Sequence, residues 1–239
     1  MRQAREVGTS AGVLLPRAWL NKEVVVTLKD LNDEEIAKGV FEILLEKGLL
    51  PDVKGVYLIG SYARGDYDAG SDVDVLVVTE KTNKLIKLRD YEIVLVSEKN
   101  LLKNLKTDLY KLLAVKEAKT ILNDELMNQC RKIKPKLSVK ELKEEIRSVL
   151  KINSEAISDC GEQVPDSIIY SLVLRLRELY LMKNLLRGKM PGKADFQVLI
   201  SKGAYDAYLR VKRDKREKNG VSINDALELV EQLKKWLKE

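Results

Sequence analysis

Two aspartates, Asp72 and Asp74, stand two residues apart at the start of an apolar run. The run from Val73 to Val78 has the composition of a strand, and side chains two residues apart on a strand project from the same face. Two carboxylates held this close repel each other unless a cation lies between them. Mg²⁺ in particular binds one or two carboxylates together with phosphate oxygens. The pair therefore indicates a site for a hard divalent cation, Mg²⁺ or Mn²⁺.

A phosphate-binding turn is indicated shortly before these aspartates. The run Val56 to Ile59 predicts a strand, and Gly60-Ser61 follows it at the expected start of a helix. Backbone N–H groups and a hydroxyl at such a position bind phosphate, aided by the positive end of the helix. Gly65 and Gly70 allow the loop to approach a ligand closely. Either half alone is more often a simple turn or a solvated strand end, but together they form a nucleoside triphosphate–metal site.

The stretch GSYARGDYDAGSDVDVLVV, residues 60–78, resembles the DNA polymerase-β-like nucleotidyltransferase superfamily. The signature of that superfamily is Gly-Ser, followed by Asp-x-Asp on the next strand. The stretch looks most like the minimal nucleotidyltransferases of archaea and bacteria, and the antibiotic nucleotidyltransferases are similar. The resemblance covers chiefly residues 32–125. It implies catalytic, metal-binding roles for Asp72 and Asp74 and nucleotide-binding roles for Gly60, Ser61, Arg64, Gly65 and Ser71. For Arg64, pairing with Asp66 is an equally weighted reading.

The family also uses a third carboxylate on a later strand of the same sheet. The segment Tyr91 to Val96 stands where that strand is expected, so the resemblance implies that Glu92 is the third catalytic and metal-binding residue. Asp90 is the alternative, because it lies on the same strand face two residues earlier. Many relatives have aspartate at this position, and Glu92 also has a plain reading as an exposed residue at the strand edge.

The resemblance implies that a nucleoside monophosphate moves onto a hydroxyl, with AMP from ATP as the leading case. The acceptor would be a small molecule or a protein side chain. One alternative is a nucleotide-binding antitoxin or DNA-associated regulatory protein, but the retained Gly-Ser and both aspartates favour the enzyme. The other alternative is an RNA nucleotide-adding enzyme, against which the low aromatic content of 5% speaks.

Composition excludes several other classes of site. The chain has no histidine, so it has neither a His-ligated metal nor a Ser-His-Asp triad. Its two cysteines, Cys130 and Cys160, are too few and too far apart for a disulfide framework. Nothing reads as a membrane span or a signal peptide, so a cytoplasmic location is expected. The surplus charge of +6 arises wholly after Ile133. Its densest patch, residues 210–218, would attract nucleic acid, but a solvated helix face is the favoured reading.

The chain is expected to be an α+β protein in three parts. Residues 1–31 form an N-terminal β-hairpin extension, in which a strand, a Pro-containing turn and a second strand occupy residues 12–28. This extension is similar to half of the swapped-hairpin domains of small transcriptional regulators, which suggests packing or a homodimer. Residues 32–133 form the nucleotidyltransferase domain, a mixed sheet flanked by helices. Residues 134–239 form an all-helical bundle, with helices predicted over 139–157, 166–187, 194–202, 205–217 and 223–238.

Overall fold

The computed structural model describes residues 5–8, 10–26, 31–68, 70–213 and 220–239. Contacts divide the chain into two compact units, Met1–Asn32 and Asp33–Glu239. The larger unit holds the sheet and the helices that follow it, including every residue that the sequence assigns to a site.

The N-terminal unit contains a short antiparallel hairpin. Strands β1 (Arg5–Val7) and β2 (Ser10–Gly12) pair, and a single 3-10 turn, Arg17–Trp19, follows. The hairpin thus lies earlier than predicted, and residues 13–26 contain no strand. Pro16 precedes the 3-10 turn and has no N–H to donate to a ladder, which disfavours strand pairing there. Residues 27–28, the end of the predicted second strand, lie outside the described residues.

A five-stranded mixed sheet forms the centre of the larger unit. Its strands are β3 (Val53–Leu58), β4 (Val73–Thr79), β5 (Lys84–Leu88), β6 (Tyr91–Ser97) and β7 (Lys119–Leu122). Their order in the sheet is β5-β6-β4-β3-β7, and β4 and β6 are parallel while the other neighbours are antiparallel. The central strands β3 and β4 are almost wholly buried, as their near-continuous apolar runs predict.

The sequence predicts no strand over residues 84–88, where the structure has β5. It is an edge strand, and of its five residues only Ile86 is buried. Lysines at positions 84 and 87 face solvent, so the apolar pattern is too weak to indicate a strand. Charged residues on an edge strand also discourage pairing with a further chain.

Helices cover the sheet and connect its strands. In the described residues they are α1 (Asp33–Glu46), α2 (Gly60–Arg64), α3 (Glu98–Asn104), α4 (Leu109–Glu117) and α5 (Asp124–Arg131). Helix α1 buries one face through Ile36, Val40, Ile43 and Leu44, which recur at helical spacing. Helices α3 to α5 border a second core beneath the sheet, around the fully buried ring of Tyr57.

The segment after residue 134 is a helical bundle with one small departure from the all-helical expectation. Its helices are α6 (Val139–Ser158), α7 (Asp166–Leu186), α8 (Lys193–Gln197), α9 (Lys202–Lys212) and α10 (Ile223–Lys238). Two-residue strands β8 (Gln163–Val164) and β9 (Val221–Ser222) pair just before α7 and α10. Helix α7 packs against α4, α6, α9 and α10 and is therefore central to the bundle.

Two helices differ in length from their predicted spans. Helix α8 ends at Gln197, five residues before the predicted end, and α9 begins at Lys202. Ser201 accounts for this division, because its side chain accepts the N–H of Ala204 and caps α9. The predicted continuation of α9 over residues 214–217 lies outside the described residues.

The α+β class with a mixed sheet, flanking helices and a helical C-terminal part is confirmed. The boundaries at residues 31 and 134 stay predictions. Within the described residues, none of the helices combines the length and the apolar composition of a membrane span.

Gly39 offers a test of how α1 packs on the sheet. An alanine Cβ at this position would lie 2.7 Å from Cζ of the buried Tyr91 ring. Helix propensity alone favours alanine by about 1 kcal/mol, but the ring cannot be accommodated without displacement. Gly39→Ala should therefore lower the free energy of unfolding by about 1–3 kcal/mol, measured by urea denaturation.

Gly203→Ala in α9 is the matched control. Its Cβ would have a single neighbour, an oxygen of Asp225 at 3.7 Å. The free energy of unfolding of this variant should rise by about 0.4–1 kcal/mol. If Gly39→Ala raised the free energy of unfolding by a similar amount, the packing described for Tyr91 would be wrong.

Candidate active site

The parallel pair β4 and β6 brings the predicted carboxylates to one end of the sheet. Asp74 lies directly opposite Glu92 in the register, and Asp72 precedes β4 with the buried Val73 between the two aspartates. Asp72, Asp74 and Glu92 line the same cleft. Asp90 is exposed and contributes its backbone carbonyl, which accepts the N–H of Val73 at 2.7 Å. The structure therefore brings Glu92, and not the Asp90 side chain, beside the aspartate pair.

The turn between β3 and α2 presses against Asp74. Gly60 has a φ of 70°, a left-handed conformation that favours glycine. A Cβ at Gly60 would also collide with the Asp74 carboxylate, whose Cγ would lie 3.1 Å away. Glycine is needed here for both reasons. Ser61 follows in the first turn of α2 and lines the cleft, as its predicted role requires.

A carboxylate that the sequence did not indicate holds this turn in place. Glu117, at the end of α4, accepts the Gly60 N–H at 2.7 Å and Nη1 of Arg64 at 2.5 Å. Its side chain is only 5% exposed, so both oxygens are committed to the turn. No spacing pattern links residues that lie so far apart in the chain, so only the folded structure identifies Glu117.

Arg64 lies between two carboxylates. Besides Glu117, it donates to both oxygens of Asp66, from Nε at 3.2 Å and Nη2 at 3.1 Å. The reading that paired Arg64 with Asp66 is thus observed. Gly65 closes α2 in a left-handed conformation with a φ of 77°. Ser71 exchanges hydrogen bonds with Asp68, so it shapes the loop between α2 and β4.

Burial leaves the Asp74 carboxylate short of compensating groups. Burial raises its pKa to about 6, and the neighbouring charges of Glu92, Asp72 and Glu117 add to the rise. Lys212 of α9 opposes the rise. Within the described part of the chain, no group donates a hydrogen bond to this carboxylate. Because an uncompensated buried charge is costly, the arrangement favours a bound cation.

The donor set suits a cation that shares its coordination with a substrate. Among the described residues, no group of three or more Asp, Glu, Cys or His side chains is positioned to hold a metal. Mg²⁺ needs only one or two carboxylates when phosphate oxygens complete its shell, and Asp72 with Asp74 meets that need. Glu92 instead pairs with Lys87 on β5 at 2.8 Å. Its predicted role as the third ligand therefore requires that this ion pair open.

Helices α7 to α9 form the opposite wall of a cleft of about 730 Å³. The loop before β4 binds this wall: Asp66 accepts the Lys193 N–H at 3.2 Å, and Asp68 pairs with Nζ of Lys193 at 2.7 Å. Arg213 also reaches Asp68, at 3.3 Å. The hydrogen bond from Lys193 lowers the pKa of Asp68 to about 2. The sequence does not indicate this wall, because the residues that form it carry no motif.

Part of the chain is similar to known nucleotidyltransferases. Residues 37–153 match the family model described as a nucleotidyltransferase domain. A Methanocaldococcus jannaschii protein, named provisionally as a protein adenylyltransferase, is 46% identical over 48 residues. That alignment covers 20% of this chain and 43% of the relative, so the chain spans less than half of the relative's length.

A solved structure of spectinomycin adenyltransferase from Enterococcus faecialis, with ATP and spectinomycin, is also similar. It is 17% identical, with a TM-score of 0.43, and the match covers 85% of this chain and 99% of that one.

The family match and the folded site lie in the same part of the chain. Residues 37–153, just under half of the chain, are similar to nucleotidyltransferase domains of the DNA polymerase-β-like superfamily, as the sequence predicted.

The pKa of Asp74 predicts a stability change with pH. The folded-state value, about 6, lies above the ~3.9 of an unfolded aspartate. The folded protein therefore binds the Asp74 proton more tightly than the unfolded chain does. The stability that this proton adds is complete below about pH 4 and is lost as the pH rises through 6. Without divalent cations, Asp74→Asn should be about 1–2 kcal/mol more stable than wild type at pH 8 and equal to it near pH 4.

Urea denaturation with a chelator present at several pH values measures this difference. Asp90→Asn is the matched control, since Asp90 is exposed and has no burial cost to relieve. A gain for Asp74→Asn that did not vary with pH would contradict the assigned pKa.

Proposed function

We propose that the protein is a metal-dependent nucleotidyltransferase that moves AMP from ATP onto a hydroxyl group. The observation that carries this proposal is the placement of Asp74 between the Gly60-Ser61 turn and Glu92, in one cleft. The name of the M. jannaschii relative supports AMP as the transferred group. According to that name, the acceptor of the relative is a protein. Because the present chain spans less than half of the relative's length, the name does not decide the acceptor of this chain.

In this proposal, each residue acts on one part of the substrates. Asp72 and Asp74 would hold Mg²⁺, which supplies charge neutralisation at the α-phosphate and the departing pyrophosphate. The Ser61 hydroxyl and backbone N–H groups of α2 orient the β- and γ-phosphates. Because the Gly60 N–H is bonded to Glu117, the phosphate donors left in the turn begin at Ser61. Lys212, which faces Asp74, adds positive charge beside the triphosphate.

Glu92 is proposed to prepare the acceptor. Its carboxylate lies beside Asp74 in the register and can accept the proton of the acceptor hydroxyl once Lys87 is displaced. The acceptor oxygen then forms a bond to the α-phosphorus, the bond from this phosphorus to the bridging oxygen breaks, and pyrophosphate leaves with that electron pair. The products are the adenylylated acceptor and pyrophosphate, with the proton on Glu92 before it passes to solvent.

Transfer assays with the aspartate pair test the proposed function. Wild-type protein incubated with Mg²⁺, α-labelled nucleoside triphosphates and a cell lysate should label an acceptor best with ATP. The double variant Asp72→Asn/Asp74→Asn should lose the labelling while remaining folded, because the cation loses both of its aspartate ligands. Chelation of Mg²⁺ should have the same effect. Undiminished labelling by the double variant would refute the site.

Glu92 and Asp90 form a matched pair for the third carboxylate. Glu92→Gln keeps the size and the hydrogen bonding of the side chain but removes its basicity. It should lower kcat by about 10²–10⁴-fold while changing ATP affinity only a few-fold, because Asp72, Asp74 and Ser61 still bind the triphosphate.

Asp90→Asn should leave both kcat and ATP affinity unchanged. The reverse ranking would assign the role to Asp90. If neither variant changed turnover while ATP still bound, a nucleotide-binding regulatory protein would become the better function.

A further inference from the structure

The two walls of the cleft carry opposite charge. The carboxylates that line it, among the described residues, all lie on the nucleotidyltransferase side: Asp68, Asp72, Asp74, Glu92 and Glu117. The described lining residues after position 134 include no carboxylate. That wall offers aromatic rings and the cations Arg177, Lys193, Lys212 and Arg213. A ligand that contacts this wall therefore meets positive charge.

Most of these cations already interact with carboxylates of the opposite wall. Lys193 and Arg213 bind Asp68, and Lys212 stands beside Arg213 at the end of α9, facing Asp74. Arg177 on α7 is different, because no carboxylate among the described residues pairs with it. Its single hydrogen bond in the described part of the chain runs from Nη1 to the Tyr208 hydroxyl, at 3.5 Å.

The surroundings of Arg177 resemble a binding subsite more than a solvated surface. The residue is half-buried, Tyr208 is buried, and Tyr110 lines the cleft from α4. The adjacent Glu178 does not neutralise Arg177 directly, since its carboxylate contacts Arg175 at 2.8 Å and the Tyr110 hydroxyl at 3.3 Å. Four of the five guanidinium N–H donors of Arg177 therefore have no acceptor among the described residues.

An oxyanion suits these donors. A guanidinium binds carboxylate or phosphate through two parallel hydrogen bonds, and partial burial strengthens the pairing. The Tyr208 hydroxyl accepts from Arg177, so its own proton remains available for the same ligand. We propose that Arg177 and Tyr208 bind a carboxylate or phosphate group of the acceptor, which makes the acceptor an anionic small molecule. This inference rests on the proposed function.

The triphosphate of ATP could also supply the oxyanion that Arg177 binds. In the proposed function, however, the triphosphate lies at the Gly60-Ser61 turn, the aspartates and Lys212, near the loop that Arg213 contacts. Arg177 is placed differently, on α7 between Tyr208 and the α4 side of the cleft. A binding measurement with ATP alone separates the two sources.

Transfer to charge-sorted acceptors tests the inference. A small-molecule cell extract is separated on ion-exchange resins into cationic, neutral and anionic fractions. Each fraction is incubated with wild-type protein, Mg²⁺ and α-labelled ATP. Labelled product should form from the anionic fraction. Arg177→Gln should reduce that product at least tenfold, and Arg177→Lys should restore part of it.

Two controls accompany this assay. Calorimetric titration with Mg²⁺-ATP alone should give Arg177→Gln the same affinity as wild type, within about twofold. Arg187→Gln removes one exposed positive charge at the end of α7, outside the cleft, and should change neither transfer nor ATP affinity. Equal unfolding midpoints for the two glutamine variants show that both are folded.

Each remaining outcome has a definite meaning. Product confined to the cationic or neutral fraction, label found only on protein, or full activity of Arg177→Gln overturns the acceptor assignment but leaves the proposed function intact. A tenfold loss of ATP affinity in Arg177→Gln assigns the guanidinium to the triphosphate and also overturns it. If wild-type protein labels nothing in any fraction or in lysate, the proposed function fails, and this inference fails with it.

Discussion

The half-buried carboxylate of Asp74, which receives no hydrogen bond from any described residue, is the constraint on which the rest of the site depends. Asp74 must point into the cleft from the start of β4, and the parallel register sets Glu92 beside it. Residue 60 must lack a side chain, since any Cβ there would displace the carboxylate. Burial raises the pKa of Asp74, repulsion from three carboxylates adds to the rise, and Lys212 opposes it. Under the proposed function, a cation that arrives with the substrate completes this site.

The surrounding ion pairs serve to keep this arrangement rigid. Glu117 uses both oxygens on the Gly60 N–H and Arg64, and Arg64 uses its remaining edge on Asp66. A turn tied to α4 in this way has little freedom to move when a triphosphate approaches. Rigid placement of the binding groups before the reaction is the usual source of rate enhancement in phosphoryl transfer. Arg64 thus holds the turn through the Asp66 pairing that the sequence also suggested, and its role as a phosphate ligand stays a prediction.

The local parts of the site could be predicted from the sequence because they depend on short-range patterns. Period-two geometry and the Gly-Ser turn identify Asp72, Asp74 and the turn within one short stretch, and the order of strands and helices follows from apolar periodicity. Strand β5 was missed because solvent covers most of its side chains, which erases the apolar pattern. The boundary between α8 and α9 lies earlier than predicted, because the Ser201 cap sets it and periodicity does not register a cap.

Other features could not be predicted, because they arise from contacts between residues distant in the chain. Glu117 meets Gly60 across most of the nucleotidyltransferase region, and neither position gives any sign of the other. The charge on the far wall of the cleft depends on which faces of α7 and α9 turn inward. A helix such as α7, apolar on nearly every side, does not reveal this orientation in its sequence.

The contacts that join the loop before β4 to the helical wall differ in their sensitivity to solvent ions. The pair between Asp68 and Lys193 spans 2.7 Å, but the two side chains are 47% and 27% exposed. Dissolved salt screens such a pair, since the Debye length falls to about 8 Å at physiological ionic strength. The bond from the Lys193 N–H to Asp66 involves a neutral donor and is screened less. Ionic strength thus becomes a variable that sets how firmly the loop before β4 is held against the helical wall.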